Sequence, residues 1–196
     1  MKEKYIGHNL IHVVTKIASK LHFQEKIPRK EVTQIGNYVI NTAKTVPGTK
    51  AEIVGSYRRN RPYSGDIDIL FSNKNNFLDD LINNLKKSNL IEHVLSLGPV
   101  KFQGTYFSSF PKKDGILRKI DIRYVPPENW GSSLVHATGS DNLNIWLRQK
   151  ALDKNLSLSE HGLLDLRTNR KIDVPTEEDV FNAVGVEYIL PENRNI

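Results

Sequence analysis

Gly55-Ser56-Tyr57-Arg58-Arg59, closely followed by Ser64-Gly65-Asp66-Ile67-Asp68-Ile69-Leu70, carries most of the fold information in this chain. Side chains alternate along a strand, so Asp66 and Asp68 project from one face while Ile67 and Ile69 turn into a core. Two carboxylates that close repel each other unless a cation joins them. Ligands made only of oxygen favour a hard ion, Mg²⁺ or Mn²⁺. Upstream, the apolar strand Ala51 to Val54 runs into Gly55-Ser56 and a helical turn. There, free backbone N–H groups, the Ser56 hydroxyl and the Arg59 guanidinium would meet an anion such as a triphosphate. A phosphate cradle beside a metal site implies phosphoryl or nucleotidyl transfer.

At 196 residues with 38% hydrophobic content the chain can build one domain or two small ones. Having no cysteine, it has neither a disulfide scaffold nor a thiolate zinc site, which suits an intracellular protein. The compartment stays open among nucleus, cytoplasm and viral factory. No long apolar run predicts a membrane span, and the opening MKEKYIGHNLIHVV is too mixed for a secretory signal. The net charge is +6, with Lys2, Lys4, Lys16, Lys20, Lys26, Arg29 and Lys30 gathered in the first thirty residues. That end suits either a phosphate backbone or a solvated helix face. None of the six histidines has metal-ligand spacing.

Along the chain, the spacing of Leu10, Val13, Val14, Ile17 and Leu21 predicts an amphipathic helix over 8–22. A second helix runs from Pro28 to about Thr45. Strands follow at 51–54, 65–71, 91–97, 100–108 and 116–124, with a helix over 75–87 between the second and third. Pro126-Pro127 ends the last of these strands. Helices over 128–137 and 143–154, a hairpin joining 163–166 to 171–174, and a helix from Thr176 to Gly185 complete the reading. The expected class is α+β: a mixed sheet with helices, then a small α+β lobe. The expected units are a basic N-terminal segment (1–26), a catalytic region (27–127) and a second lobe (128–196).

A bare Asp-x-Asp also occurs in acidic turns, but the joint pattern is far more specific. It closely resembles the nucleotidyltransferase signature of the family X DNA polymerases: Gly-Ser-aromatic-Arg-Arg, a short spacer, then Ser-Gly-Asp-hydrophobic-Asp. The resemblance covers roughly 26–196 and implies a palm followed by a thumb, without a lyase domain or most of the fingers. It supplies a third carboxylate, Asp121, within Arg118-Lys119-Ile120-Asp121-Ile122-Arg123. It implies two Mg²⁺ ions (Mn²⁺ as substitute) held by Asp66, Asp68 and Asp121, with Asp121 also able to take the primer hydroxyl proton. Ser56, Arg59 and Gly65 would hold the triphosphate, and Lys26 corresponds to a further triphosphate contact.

In the second lobe the resemblance rests on Thr138-Gly139-Ser140-Asp141, Asn144, Arg148 and Leu158-Ser159-Glu160-His161-Gly162. It places His136, Gly139, Asp141 and Asn144 around the incoming nucleotide. Lys119, Arg123, Arg148 and Glu160 fall on the DNA side, Glu160 as a residue that positions the thumb. His136-Ala137 departs from the usual Tyr-Phe, which opens the question of sugar discrimination. Lys119 stands where arginine is usual, keeping the charge but not the guanidinium fork.

The expected activity is addition of deoxynucleoside triphosphates to a primer 3′-hydroxyl on gapped or primer–template DNA. The expected setting is short-gap filling in DNA repair, by a monomer with no membrane partner. Template-independent extension and a non-catalytic module that holds DNA ends are the rival readings.

Overall fold

The computed structural model describes residues 25–196; the helix expected over 8–22 lies outside them. A two-residue strand, β1 (Ile27–Pro28), leads into α1 (Arg29–Ala43). Next come β2 (Lys50–Ile53), the short turn α2 (Gly55–Arg58), β3 (Tyr63–Ser64), β4 (Ile67–Ser72) and α3 (Leu78–Lys87). Three longer strands follow: β5 (His93–Leu97), β6 (Lys101–Phe107) and β7 (Leu117–Val125). The order in the main sheet is β2-β4-β7-β6-β5. Only β4 and β7 run parallel within it.

Alternation sorts the two faces of this sheet. Ile67, Ile69 and Phe71 of β4 and Ile120 and Ile122 of β7 are buried against Val32, Ile35 and Val39 of α1 and Leu81, Ile82 and Leu85 of α3. Gly36 lets α1 lie directly on β2, because a Cβ there would sit 2.3 Å from Ile53 Cδ1. Buried Tyr106 donates its hydroxyl to Glu31 at 2.8 Å, tying β6 to α1. The opposite face carries Asp68 and Leu70, and Lys119, Asp121 and Arg123. Leu70 packs with Val54, Val125 and Leu134 beneath the second lobe, so this face is covered at one end and open at the other.

The second lobe holds α4 (Trp130–Thr138), α5 (Asp141–Leu152), a three-stranded sheet of β8 (Leu156–Ser159), β9 (Gly162–Asp165) and β10 (Arg170–Ile172), and α6 (Glu177–Val184). Its core is Val135, Leu143, Leu147, Leu163, Val180 and Phe181. Ser140 caps α5 by accepting from Leu143 N, and Thr176 with Asp179 forms a capping box on α6.

Several boundaries differ from the sequence expectation, α5 beginning at Asp141 rather than 143 and β4 at Ile67 rather than 65. The hairpin at 163–174 gains β8 as a third strand, built from Leu156-Ser157-Leu158-Ser159. The helix expected from Glu128 starts at Trp130, after a single 3₁₀ turn at Pro127–Asn129. The helix expected from Asn75 starts at Leu78, because the Asn73 and Asn76 side chains accept from the backbone N–H groups of Asn75 and Leu78 and hold the segment before Leu78 in turns. No helix among the described residues is long and apolar enough to cross a membrane.

Candidate active site

Pairing across the sheet brings the acidic residues together. Asp68 stands directly opposite Asp121 in the parallel β4–β7 pair, and Gln103 of β6 stands opposite Asp121 on its other side. Asp66 lies just before β4. Burial, then the neighbouring Asp66 and Asp121 carboxylates, push Asp68 up to about 7. Burial also raises Asp66, against the pull of Lys119 and with Asp121 adding to the rise. Lys119 Nζ lies 3.9 Å from Asp66 Oδ2, and Lys101 Nζ lies 3.3 Å from Asp121 Oδ2. Gln103 Nε2 donates to the same Asp121 Oδ2 at 2.8 Å.

The other oxygen of Asp121, Oδ1, is shielded from water and accepts no hydrogen bond. A shielded anionic oxygen beside a second carboxylate is the donor chemistry that a hard divalent cation satisfies, so the residues fit such an ion. Among the described residues no three acidic or histidine side chains already enclose an ion-sized point. Lys119 and Lys101 hold two of the three carboxylates instead.

The turn α2 borders this cluster. Gly55 has φ +62, and a Cβ there would stand 2.4 Å from Asp68 Oδ2, so only glycine allows this approach. A Cβ on Gly65 would meet nothing within 4 Å, so its backbone faces open space. Ser56 Oγ donates to Ser64 Oγ at 2.9 Å.

Both arginines at the end of this turn pair within the protein. Arg59, expected to face an anion, donates from Nη1 to the Thr138 carbonyl at 2.6 Å and from Nε to Asn195 Oδ1 at 3.0 Å. Gly139 lies against the same guanidinium, a Cβ there falling 3.1 Å from Nη1. Arg58, which carried no expected role, donates to Glu52, Thr138 and Glu177.

The cleft beside the carboxylates, about 140 Å³, is lined by Asp68, Lys101, Asp121, Arg123, His136 and Ala137 among others. His136 is held below the ordinary imidazole range by burial, with Arg148 and Arg123 adding to the fall and Glu160 opposing it. Glu160 lies 3.7 Å from Arg123 Nη1 and 3.9 Å from His136 Nε2, so it bridges β7 and α4. Asn144 donates to the His136 carbonyl at 2.9 Å, and Arg148 Nη2 lies 3.2 Å from His136 Nδ1. Asp141 is exposed in the first turn of α5, and Lys26 is exposed ahead of β1. The structure therefore gathers Asp68, Asp121, Arg123 and His136 around one cleft. Asn144 and Arg148 stand behind His136.

Sequence reading missed Lys101 and Gln103, and also Arg58, Glu177 and Arg194, the last donating from Nη1 to Glu177 Oε1 at 2.6 Å. Lys101 and Gln103 alternate on β6, which gives their common face, but nothing in the sequence gives the register that sets Gln103 against Asp121.

Two sequence models match the chain: the DNA polymerase beta palm over residues 26–127 and the DNA polymerase beta thumb over 133–195. DNA polymerase lambda from Arabidopsis thaliana is 28% identical over 195 residues, covering 87% of this chain and 37% of the relative. DNA polymerase lambda from Rattus norvegicus is 28% identical over 192 residues, covering 88% and 34%. The chain thus spans about a third of the length of these relatives. Among solved structures, the ternary gap complex of Leishmania infantum polymerase beta superposes with TM-score 0.80 at 26% identity, covering 90% of this chain and 72% of that one.

Proposed function

The chain belongs to the polymerase beta-like family X of DNA polymerases, and from that membership we propose that it joins deoxynucleotides to a DNA primer 3′-hydroxyl, filling short gaps in DNA repair. The observation that carries the proposal is the pairing of Asp68 with Asp121 on adjacent parallel strands, with Asp66 two residues before Asp68. In this reading residues 27–127 are the palm and 128–196 the thumb. The substrates are gapped or primer–template DNA and deoxynucleoside triphosphates.

Asp66, Asp68 and Asp121 would hold two Mg²⁺ ions (Mn²⁺ as substitute), which when bound lower the pKa of the primer hydroxyl and neutralise charge on the leaving pyrophosphate. Asp121 accepts the proton of the primer 3′-hydroxyl. The oxygen of that hydroxyl forms a bond to the α-phosphorus as the bond from that phosphorus to the pyrophosphate oxygen breaks. Ser56, turning its hydroxyl from Ser64, and the Gly65 backbone donate to the β and γ phosphates, with Arg59 and Lys26 as flanking cations. His136, Gly139, Asp141 and Asn144 border the nucleotide. Lys119, Arg123 and Arg148 meet the DNA, and Glu160 sets the thumb against the palm through Arg123 and His136.

The test is extension of a gapped duplex, a primer–template and a single strand, with each nucleotide offered separately and with or without Mg²⁺. Metal-dependent, templated addition on the gapped duplex is expected. Untemplated addition to the single strand at equal rate would overturn gap filling, and no addition to any DNA would overturn polymerisation.

A further inference from the structure

We infer that Gln103 is a positioning residue that fixes the Asp121 carboxylate and leaves Oδ1 as its reactive oxygen; this rests on the polymerase reading above. Strand order places Asp121 between Gln103 on β6 and Asp68 on β4. Gln103 Nε2 donates to Asp121 Oδ2 at 2.8 Å, and Lys101 Nζ reaches the same oxygen at 3.3 Å. Only the amide nitrogen can face a carboxylate, since the amide oxygen would repel it, so the side chain has one orientation. Both donors therefore load one oxygen, while Oδ1 accepts nothing.

The division of labour follows from charge. Lys101 is 40% exposed and a flexible cation, which offsets charge without fixing direction. Gln103 is neutral and half-buried, and its place opposite Asp121 is set by the strand register. It can restrain the rotation of the carboxylate without cancelling the charge that the reaction uses. The sequence hides this role, because a lone glutamine on a strand carries no motif.

The test compares Gln103→Met, which keeps the volume and removes the donor, with Gln103→Glu, which turns an acceptor toward Asp121. Steady-state extension of a primer–template gives kcat and the nucleotide KM. EPR titration with Mn²⁺, on a dideoxy-terminated primer–template with a deoxynucleoside triphosphate, gives ion binding without turnover. For Gln103→Met, kcat should fall about tenfold, the loss expected for a hydrogen bond to a charged group. KM should hold within about twofold and Mn²⁺ binding should weaken, with Tm unchanged. Gln103→Glu should lose more kcat than Gln103→Met.

Parental kcat and parental Mn²⁺ affinity in Gln103→Met would overturn the inference. So would a fall in Tm with kcat of the folded enzyme unchanged, which would make Gln103 a packing residue. A parent that neither extends a primer nor binds Mn²⁺ would instead remove the polymerase reading, a result separable from both.

Discussion

Arg58 grips Glu177 with both terminal nitrogens, Nη1 to Oε1 at 2.9 Å and Nη2 to Oε2 at 2.7 Å, across a sequence separation of 119. Glu177 is only 4% exposed, and the fully buried Arg194 donates to its Oε1 at 2.6 Å. One carboxylate thus joins the turn beside the acidic cluster, helix α6 and the C-terminal tail. Removing it strands the buried Arg194 guanidinium and leaves Arg58 only Glu52 and Thr138, so Glu177→Ala should cost about 3–5 kcal/mol. Equilibrium urea unfolding checks this, and a loss below about 1 kcal/mol would show that water replaces the carboxylate.

The same carboxylate carries a pH signature. Burial raises its pKa, but hydrogen bonds and charge from Arg58 and Arg194 outweigh burial and hold it below the ordinary value of 4.5. A depressed folded pKa gives stability that is complete above the unfolded value and is lost as pH falls through the folded one. Tm of the parent should therefore decline below about pH 4.5. Glu177→Gln, starting from a lower Tm at neutral pH, should show a flatter decline over that range.

Asp66, Asp68 and Asp121 crowd three carboxylates around two lysines, and burial with mutual repulsion pushes Asp68 up to about 7. Asp68→Asn removes one repulsion at nearly constant volume. Extension should fall by about a hundredfold or more, the loss seen when a group that stabilises developing charge is removed, while Tm holds or rises. A clear drop in Tm would mean that Asp68 serves the fold.

Gly55 tests the close approach of turn and strand. Alanine there meets a positive φ and the Asp68 carboxylate together. The left-handed backbone alone costs about 1–2 kcal/mol. Gly55→Ala should lower Tm by several degrees and lower kcat by more than the unfolded fraction accounts for. Equal kcat per folded molecule would show that Asp68 adjusts freely.

Lys119 lies beside Asp66, and our reading gives it a DNA phosphate. Lys119→Ala should weaken binding to gapped DNA alike for every sequence. It should also reduce the slope of log affinity against log salt by about 0.9. Fluorescence anisotropy over a salt series measures this, and an unchanged slope would remove Lys119 from the DNA contact.

Much of the palm was legible from alternation alone. Ile67 and Ile69, and Ile120 and Ile122, lie on the core face because burying apolar side chains dominates, and Asp68 and Asp121 are thereby directed to the opposite face. The capping pattern at Thr176 and the glycine at 185 set the ends of α6 for equally local reasons. Period two fixes a face but not a register, so no local signal says which residue of β6 lies against Asp121. Gln103 and Lys101 therefore came only from the assembled sheet. The same holds for Arg58 and Glu177: each is an ordinary charged residue in its own segment, and only the packing of the two lobes buries them together and makes their pairing obligatory.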